Sequence, residues 1–338
     1  MMSRSQRGGL SELFAEPSAT LHAADVALCN LEGPLSLKTN HRSRVQAAAF
    51  RGVPEFRSLL IDAGFTHINI ANNHILQHGP SAFDETVDVI QRAGLKVIGL
   101  SGTQESQISR PVVSCIRNRR ICIVGYSLVP DVRNKPPLPY ANSNDIESIA
   151  AEISTLSRGF DDVIVSCHAG DEGLLTPSPA IIHTFRKFVD AGARCVLGHH
   201  SHVFQPVERY RDGLIAYSLG NFAFDLFWDV NATRSAILLV KMHPGGNNWE
   251  LIPTEFTREF RVRTALPHAA AAFRHSLTHA TTALMTMDDR EYTAALLDYE
   301  RRDRYAKSRY FLNTLLQGNV AAKLEFLISK VIPWSHSC

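Results

Sequence analysis

The sequence predicts an α/β fold, and three observations carry that prediction. Short apolar runs of four to six residues alternate with longer amphipathic segments up to about residue 200. Gly, Pro, Asn and Ser punctuate the boundaries between them. Polar side chains capable of chemistry recur just past the ends of the apolar runs, as they do at the carboxyl ends of strands in open α/β sheets.

Taken in order, residues 1–20 are weakly structured, with a helical turn around 10–14. Residues 25–30 (DVALCN) read as a buried strand running into a Gly-Pro turn. Residues 38–51 are polar loop. Residues 54–63 form a helix with Pro54 in its first turn and Gly64 as its stop. A second strand covers 67–71 (HINIA), a helix capped by Ser81 covers 81–93 and stops at Gly94, and a third strand covers 96–100. Residues 111–116 and 120–126 read as a hairpin around Arg117-Asn118-Arg119. The Pro- and Asn-rich stretch 130–142 reads as a surface loop. A helix at 145–156, a strand at 162–167 (DVIVSC), a helix at 179–191 and a strand at 194–197 follow. Residues 233–242 and 249–256 pair across Pro-Gly-Gly-Asn-Asn, and beyond Pro267 three helices are expected, at 268–284, 289–316 and 320–332. The alternation predicts a parallel-type sheet covered on both faces.

Composition narrows the function classes. The chain has 338 residues, 45% of them apolar, and a net charge of +2, which offers no broad electrostatic attraction for nucleic acid. No run reaches the ~18 apolar residues of a transmembrane helix, and the N-terminus lacks a signal-peptide centre, so the chain as written reads as cytoplasmic. Of the six cysteines, the first five lie in apolar runs without CxxC spacing and are expected to be buried thiols. The fifteen histidines are the unusual number.

Several of those histidines sit where chemistry is expected. The first strand is followed by Glu32, the second by Asn72, Asn73 and His74. The strand at 162–167 is followed by His168, with Asp171 and Glu172 behind it, and the next strand by His199, His200 and His202. Each has a plain reading: Glu32 as a turn carboxylate, Asn73 as turn geometry, His74 and His168 as core histidines bonded to carbonyls, Asp171 as a solvated loop residue. Their recurrence at four successive strand ends favours a shared site on one sheet rim. In an extended chain His200 and His202 point to the same side, as paired imidazole ligands do. Carboxylate, amide oxygen and imidazole together suit Mn²⁺, Zn²⁺ or Fe²⁺. Two such ions could share Glu32 as a bridge, generate hydroxide near neutral pH and clamp an oxyanion, leaving His74 to give a proton to a leaving oxygen.

NLEGPLS (30–36), ANNHILQHG (71–79), HAGDE (168–172), GHHSHVFQPVE (198–208) and YSLGNFAFD (217–225) occur in this order. Over roughly residues 20–230 the chain resembles the CapA family, capsule and poly-γ-glutamate synthesis proteins with a calcineurin-like metallophosphatase fold. The resemblance implies a four-layer α/β/β/α sandwich over residues 1–262 and leaves 263–338 as a helical C-terminal extension. It implies metal ligation by Glu32, Asn73, His168, His200 and His202, with His199 as a register alternative, and makes His74 the substrate-facing acid.

Two departures matter. The family opens on a strand ending in a Gly-Asp metal ligand, and no such strand precedes Asp25. The expectation is an N-terminally truncated domain that has lost any export signal or membrane anchor, which would otherwise place it outside the cytoplasm or at the membrane. Gln77 stands where many relatives carry Asp. Two functions follow: a metal-dependent hydrolase of a phosphoester or γ-glutamyl polymer, or a non-catalytic factor in polymer synthesis or export that keeps a degenerate metal site. The expected partners are an anionic polymer or phosphoester and the capsule synthesis machinery. Lys38, Arg42, Arg44, Arg117, Arg119 and Arg120 could meet a polyanion or be scattered surface charge. The charged segment 290–310 reads as a solvated helix, a dimer contact or a scaffold.

Overall fold

Among the residues described by the computed structural model (12–41, 50–102, 108–243, 246–284 and 286–317), twelve strands divide among three sheets. The first sheet is parallel, in the order β1 (Leu28–Asn30), β2 (His67–Asn69), β3 (Lys96–Ile98). It is covered by α1 (Ala15–His22), α2 (Arg57–Ala63) and α3 (Pro80–Arg92), whose Leu21, Ala63, Phe83 and Ile90 cluster with Ile68 and Ile70. Ala82, Phe83, Thr86 and Ile90 fall on one face of α3 at three- and four-residue spacing, which is why that segment is a helix and not a strand.

The second sheet has six strands in the order β4-β5-β6-β7-β9-β8: β4 (Val112–Ile116), β5 (Arg119–Ser127), β6 (Asp162–His168), β7 (Cys195–His199), β8 (Val207–Tyr210) and β9 (Gly213–Ala216). β5, β6, β7 and β9 run parallel, and β4 and β8 are antiparallel edges. One face packs under α4 (Ile146–Ser157) and α5 (Pro179–Asp190) through Ile149, Ile153, Phe185 and Phe188. The other buries Ile121, Ile123, Ile164 and Cys195 with Ile98 of the first sheet and Leu238 and Val240 of the third. That third sheet is antiparallel: β10 (Arg234–His243), β11 (Gly246–Phe256), β12 (Val262–Thr264). Two helices end the described chain, α6 (Pro267–Ala283) and α7 (Asp289–Gln317). None of the described helices is long and apolar enough to cross a membrane.

The mixed α/β class matches the expectation, and the differences have local causes. α1 is a two-turn helix where only a turn around 10–14 was expected. Its weak amphipathic pattern hides it in sequence, and its Leu21 is held by tertiary contacts. α3 starts at Pro80 after Gly79, not at a Ser81 cap, because proline's fixed φ suits the first helical position. The hairpin turn uses two residues, Arg117 and Asn118, both at positive φ, as the twist of paired strands demands. The stretch 130–142 is not all surface, since Leu138, Tyr140 and Ala141 are buried. Cys122, Cys167 and Cys195 are buried thiols, whereas Cys115, alternating outward on edge strand β4, is exposed. Cys338 and the expected helix at 320–332 lie outside the described residues.

His67 on β2 is buried between Thr66 Oγ1 and Ser114 Oγ, and desolvation, helped by nearby Lys96, lowers its pKa from 6.5 to about 4. A folded-state value below the unfolded one means that the unfolded chain binds the extra proton in that window. Stability from neutral His67 is therefore present above about pH 6.5 and lost as pH falls toward 4. We expect His67→Gln to have a shallower fall in stability than the parent between pH 6.5 and pH 4.5 in urea titrations. Equal slopes would refute the assignment.

Candidate metal centre

Four strand ends meet, but from two sheets and not along one rim. Glu32 and Asn73 follow β1 and β2 of the parallel sheet, while His168 and His200 end or follow β6 and β7 of the six-stranded sheet. The parallel sheet holds its residues through a net of amides. Asn30 Nδ2 donates to Glu32 Oε2 at 2.7 Å, and Asn30 Oδ1 accepts from Asn69 Nδ2 at 3.1 Å. Asn72 Nδ2 donates to the Leu31 carbonyl, and its Oδ1 accepts from the backbone N–H groups of His74 and Ile75. Asn72 thereby fixes the turn that presents Asn73 and His74. Asn69 escaped the sequence reading. The available signal was an asparagine in the middle of the HINIA run, where no turn needs it. It is wholly buried, and Gly125 opposite leaves it room: a Cβ there would lie 2.3 Å from Asn69 Oδ1.

On the other side, His168 is fully buried, its Nε2 donating to Asn73 Oδ1 at 3.0 Å and lying 3.6 Å from Glu32 Oε1. The His168 and His200 rings are 4.7 Å apart. One donor atom each from Glu32, His168 and His200 falls within 4.8 Å of the others. Glu32 Oε1, His168 Nδ1 and His200 Nδ1 are buried with no hydrogen-bond partner among the described residues. Leaving such groups unpaired costs roughly 1–3 kcal/mol each. A cation is the species that satisfies a carboxylate oxygen and imidazole lone pairs together. The donors are hard to borderline, so this arrangement fits a divalent ion.

The electrostatics agree. Burial holds His200 at about 3, with the neighbouring His202 and His74 adding to the effect. Burial also holds His168 well below the usual histidine range, with His200 contributing next. Both rings are therefore neutral, the form that binds metal. Glu32 is pushed up by desolvation against the opposing pull of His202 and the Asn30 hydrogen bond.

His202 stands at the side of this cluster, its ring 6.2 Å from that of His200. The extended-chain reason for pairing the two does not hold. β7 ends at His199, and His200 and His202 sit at φ 93° and 59°, so a bend and not a strand carries them. His202 Nδ1 donates to Asn221 Oδ1 at 2.9 Å, and Asn221 is itself anchored by donating Nδ2 to the Ala232 carbonyl. That bond leaves the Nε2 lone pair of His202 free, in the manner of an oriented metal-ligand histidine. Nε2 faces Glu172 Oε1 at 4.0 Å, and the Phe224 ring lies 5.0 Å from the His202 ring. His199 is outside the cluster, hydrogen-bonded to Ser166 Oγ within the sheet.

His74 Nδ1 donates to Gln77 Oε1 at 2.7 Å, and Phe50 stacks on its ring at 4.3 Å. Gln77 thus orients the ring through its amide oxygen. Burial lowers the pKa of His74, against the raising effect of Gln77. Asp171 is not a solvated loop residue, because it accepts a hydrogen bond from Tyr292 OH. Of the basic residues, Arg119 is committed to Asp162, Arg120 lies over Phe160 and Arg117 pairs with Asp25. Arg42 and Arg44 lie outside the described residues. A cavity of about 1160 Å³ adjoins the site. Glu32, His199, His200 and His202 belong to its lining, together with the edge strands β1 and β10.

The family model described as bacterial capsule synthesis protein PGA_cap matches residues 2–226. The chain belongs to this family. All five proposed metal donors and His74 lie inside the matched region of this PGA_cap chain, and α6 and α7 lie beyond it. It is similar to the capsule biosynthesis protein CapA of Bacillus anthracis, 30% identical over 230 residues, covering 66% of this chain and 56% of that protein. It is also similar to the PGA biosynthesis protein CapA of Bacillus subtilis (strain 168), 27% identical, covering 74% of this chain and 66% of that protein. A hypothetical protein from Thermus thermophilus has a similar backbone, with a TM-score of 0.47 and 15% identity, covering 74% of this chain and 95% of that one.

Gly198, two residues before His200, lies against β9: a Cβ there would sit 1.9 Å from the Tyr217 carbonyl oxygen. Gly198→Ala is expected to destabilise the fold by roughly 1–3 kcal/mol in chemical denaturation, the usual cost of overfilling a close contact. Unchanged stability would show that β7 and β9 are not so closely set.

Proposed function

We propose that this PGA_cap chain is a metal-dependent hydrolase of capsule polymer metabolism, acting on a phosphoester or on an amide of a γ-glutamyl polymer. The observation that carries it is the group of Glu32, His168 and His200: one donor atom of each falls within 4.8 Å of the others, and Glu32 Oε1, His168 Nδ1 and His200 Nδ1 are buried with no hydrogen-bond partner among the described residues. The Asn73 amide oxygen stands next to it, with His202 at its rim. We assign Glu32, Asn73, His168, His200 and His202 as holding a divalent ion of the Mn²⁺, Zn²⁺ or Fe²⁺ class. When bound there, such an ion supplies positive charge to polarise a phosphoryl or carbonyl oxygen and to activate water. The capsule and poly-γ-glutamate setting rests on the names of the relatives.

The protein's own groups divide the remaining work. Asn221 and Asn73 orient the His202 and His168 rings. Glu32 is the buried carboxylate, held by Asn30. His74 rests neutral, with its proton on Nδ1 toward Gln77 and a lone pair at Nε2. To act as the acid for a leaving group it first takes up a proton at Nε2 and then gives it away, and Phe50 and Gln77 keep the ring still while it does so. Arg133, whose guanidinium donates to the Asn73 carbonyl, places a cation beside this turn, suited to an anionic substrate.

Metal analysis of the purified protein after incubation with Mn²⁺ or Zn²⁺ tests the reading. Bound metal is expected in the parent and lost in His168→Ala and His200→Ala. Metal retained by both variants would sink the assignment. Asn221→Ala, which frees the His202 ring, is expected to weaken metal binding about 10–100-fold. Activity is measured separately on a generic phosphodiester and on poly-γ-glutamate. Metal bound with neither turned over would favour the non-catalytic role.

A further inference from the structure

α7 lies wholly beyond the residues that the family model matches, yet its contacts run to the metal site. Two loops wall His202. One, residues 169–174, carries Glu172, whose Oε1 faces His202 Nε2 at 4.0 Å. The same loop reaches the histidine bend through its backbone, since the Gly173 N–H donates to the carbonyl of Ser201, between His200 and His202, at 2.7 Å. The other, residues 222–230, carries Phe224, whose ring lies 5.0 Å from that of His202.

α7 holds both loops by side chains along one face. Tyr292 is buried and donates its hydroxyl to Asp171 Oδ2 at 2.9 Å. Tyr299 lies flat enough on the first loop that a Cβ at Gly173 would fall 1.7 Å from its Cζ, and its hydroxyl donates to Asp229 Oδ2 on the second loop at 3.4 Å. Asp303 accepts from Trp228 Nε1 at 3.0 Å, and Lys307 pairs with Asp303 while lying over the Trp228 ring. Residues 292, 299, 303 and 310 are spaced by seven, four and seven, one stripe of an α-helix, and Tyr310 ends it against Trp228. A segment that reads from sequence as a charged, solvated helix thus presents one continuous face to the two walls of the site.

We propose that α7 is a clamp on the mouth of the metal site. Tyr292 and Tyr299 are positioning residues that hold Glu172 and Phe224 against His202, so the extension beyond the family domain sets the ligand geometry within it. Glu172 is thereby a further acidic residue of the site, facing the free nitrogen of His202. The inference rests on the metal reading for its functional meaning, but its structural half stands apart from metal.

Hydrogen exchange on the metal-free full chain tests that half, comparing the parent with Tyr292→Phe and Tyr299→Ala, and with Leu297→Ala as a control on an exposed position of α7. The two clamp variants should speed exchange in residues 169–174 and 200–203 while leaving β6 and α5 unchanged, and Leu297→Ala should alter neither. Faster exchange in α7 alone, with both site segments unmoved, overturns the clamp. Mn²⁺ titration of the same proteins tests the functional half. Tyr292→Phe should weaken binding about fivefold, the scale of one lost neutral hydrogen bond, and Glu172→Gln should also weaken it. Parent and variants binding Mn²⁺ alike overturns the functional half. A parent that takes up no Mn²⁺ counts against the metal reading, and the exchange result still decides the clamp.

Discussion

A carboxylate from one sheet and two imidazoles from another bring one donor atom each within 4.8 Å of the others, and Glu32 Oε1, His168 Nδ1 and His200 Nδ1 are buried with no hydrogen-bond partner among the described residues. The rest of the site is arranged around that constraint. Burying Glu32 opposes its ionisation, and burying His168 and His200 opposes their protonation, so the groups cannot relieve one another by forming ion pairs at neutral pH. The fold tolerates this because the surrounding amides are fully engaged. Asn30, Asn69 and Asn72 direct their hydrogen bonds to one another, to Glu32 and to the backbone of the Asn73-His74 turn.

The same constraint explains where the backbone is unusual. His200 and His202 occupy positive φ, a conformation that costs a non-glycine residue energy and that persists only when its surroundings hold it. Those surroundings are identifiable. Gly198 lets β7 approach β9 closely, Ser201 is tied to Gly173 and Val203, and Asn221 grips His202. α7 closes the outer side through Tyr292 and Tyr299. Strain at the histidine bend is therefore balanced by contacts drawn from both the family domain and the extension.

Much of this was legible in the residues. The apolar runs at 67–71 and 162–167 announced buried strands, and the imidazoles and amides behind them announced the site, because both signals are local. Membership of the strands in two sheets was not legible, since nothing in HINIA or DVIVSC says which neighbour it will pair with. The HxH spacing paired His200 and His202 on a geometry that does not hold: an extended chain puts alternate residues on one side, but the chain bends at His200. β8, β9 and β12 were not read as strands. The role of Tyr292 and Tyr299 was hidden for a different reason. Their partners are more than fifty residues away in sequence, and a tyrosine on a charged helix looks the same whether it meets water or a loop.

The central claim is that Glu32, His168 and His200 converge to hold a divalent ion. Anomalous diffraction from crystals of the protein grown with Mn²⁺ tests it most directly. The account predicts one strong peak between the Glu32 carboxylate and the rings of His168 and His200, within coordination distance of all three. Full manganese loading in solution, with the peak elsewhere and these three side chains uncoordinated, would contradict it.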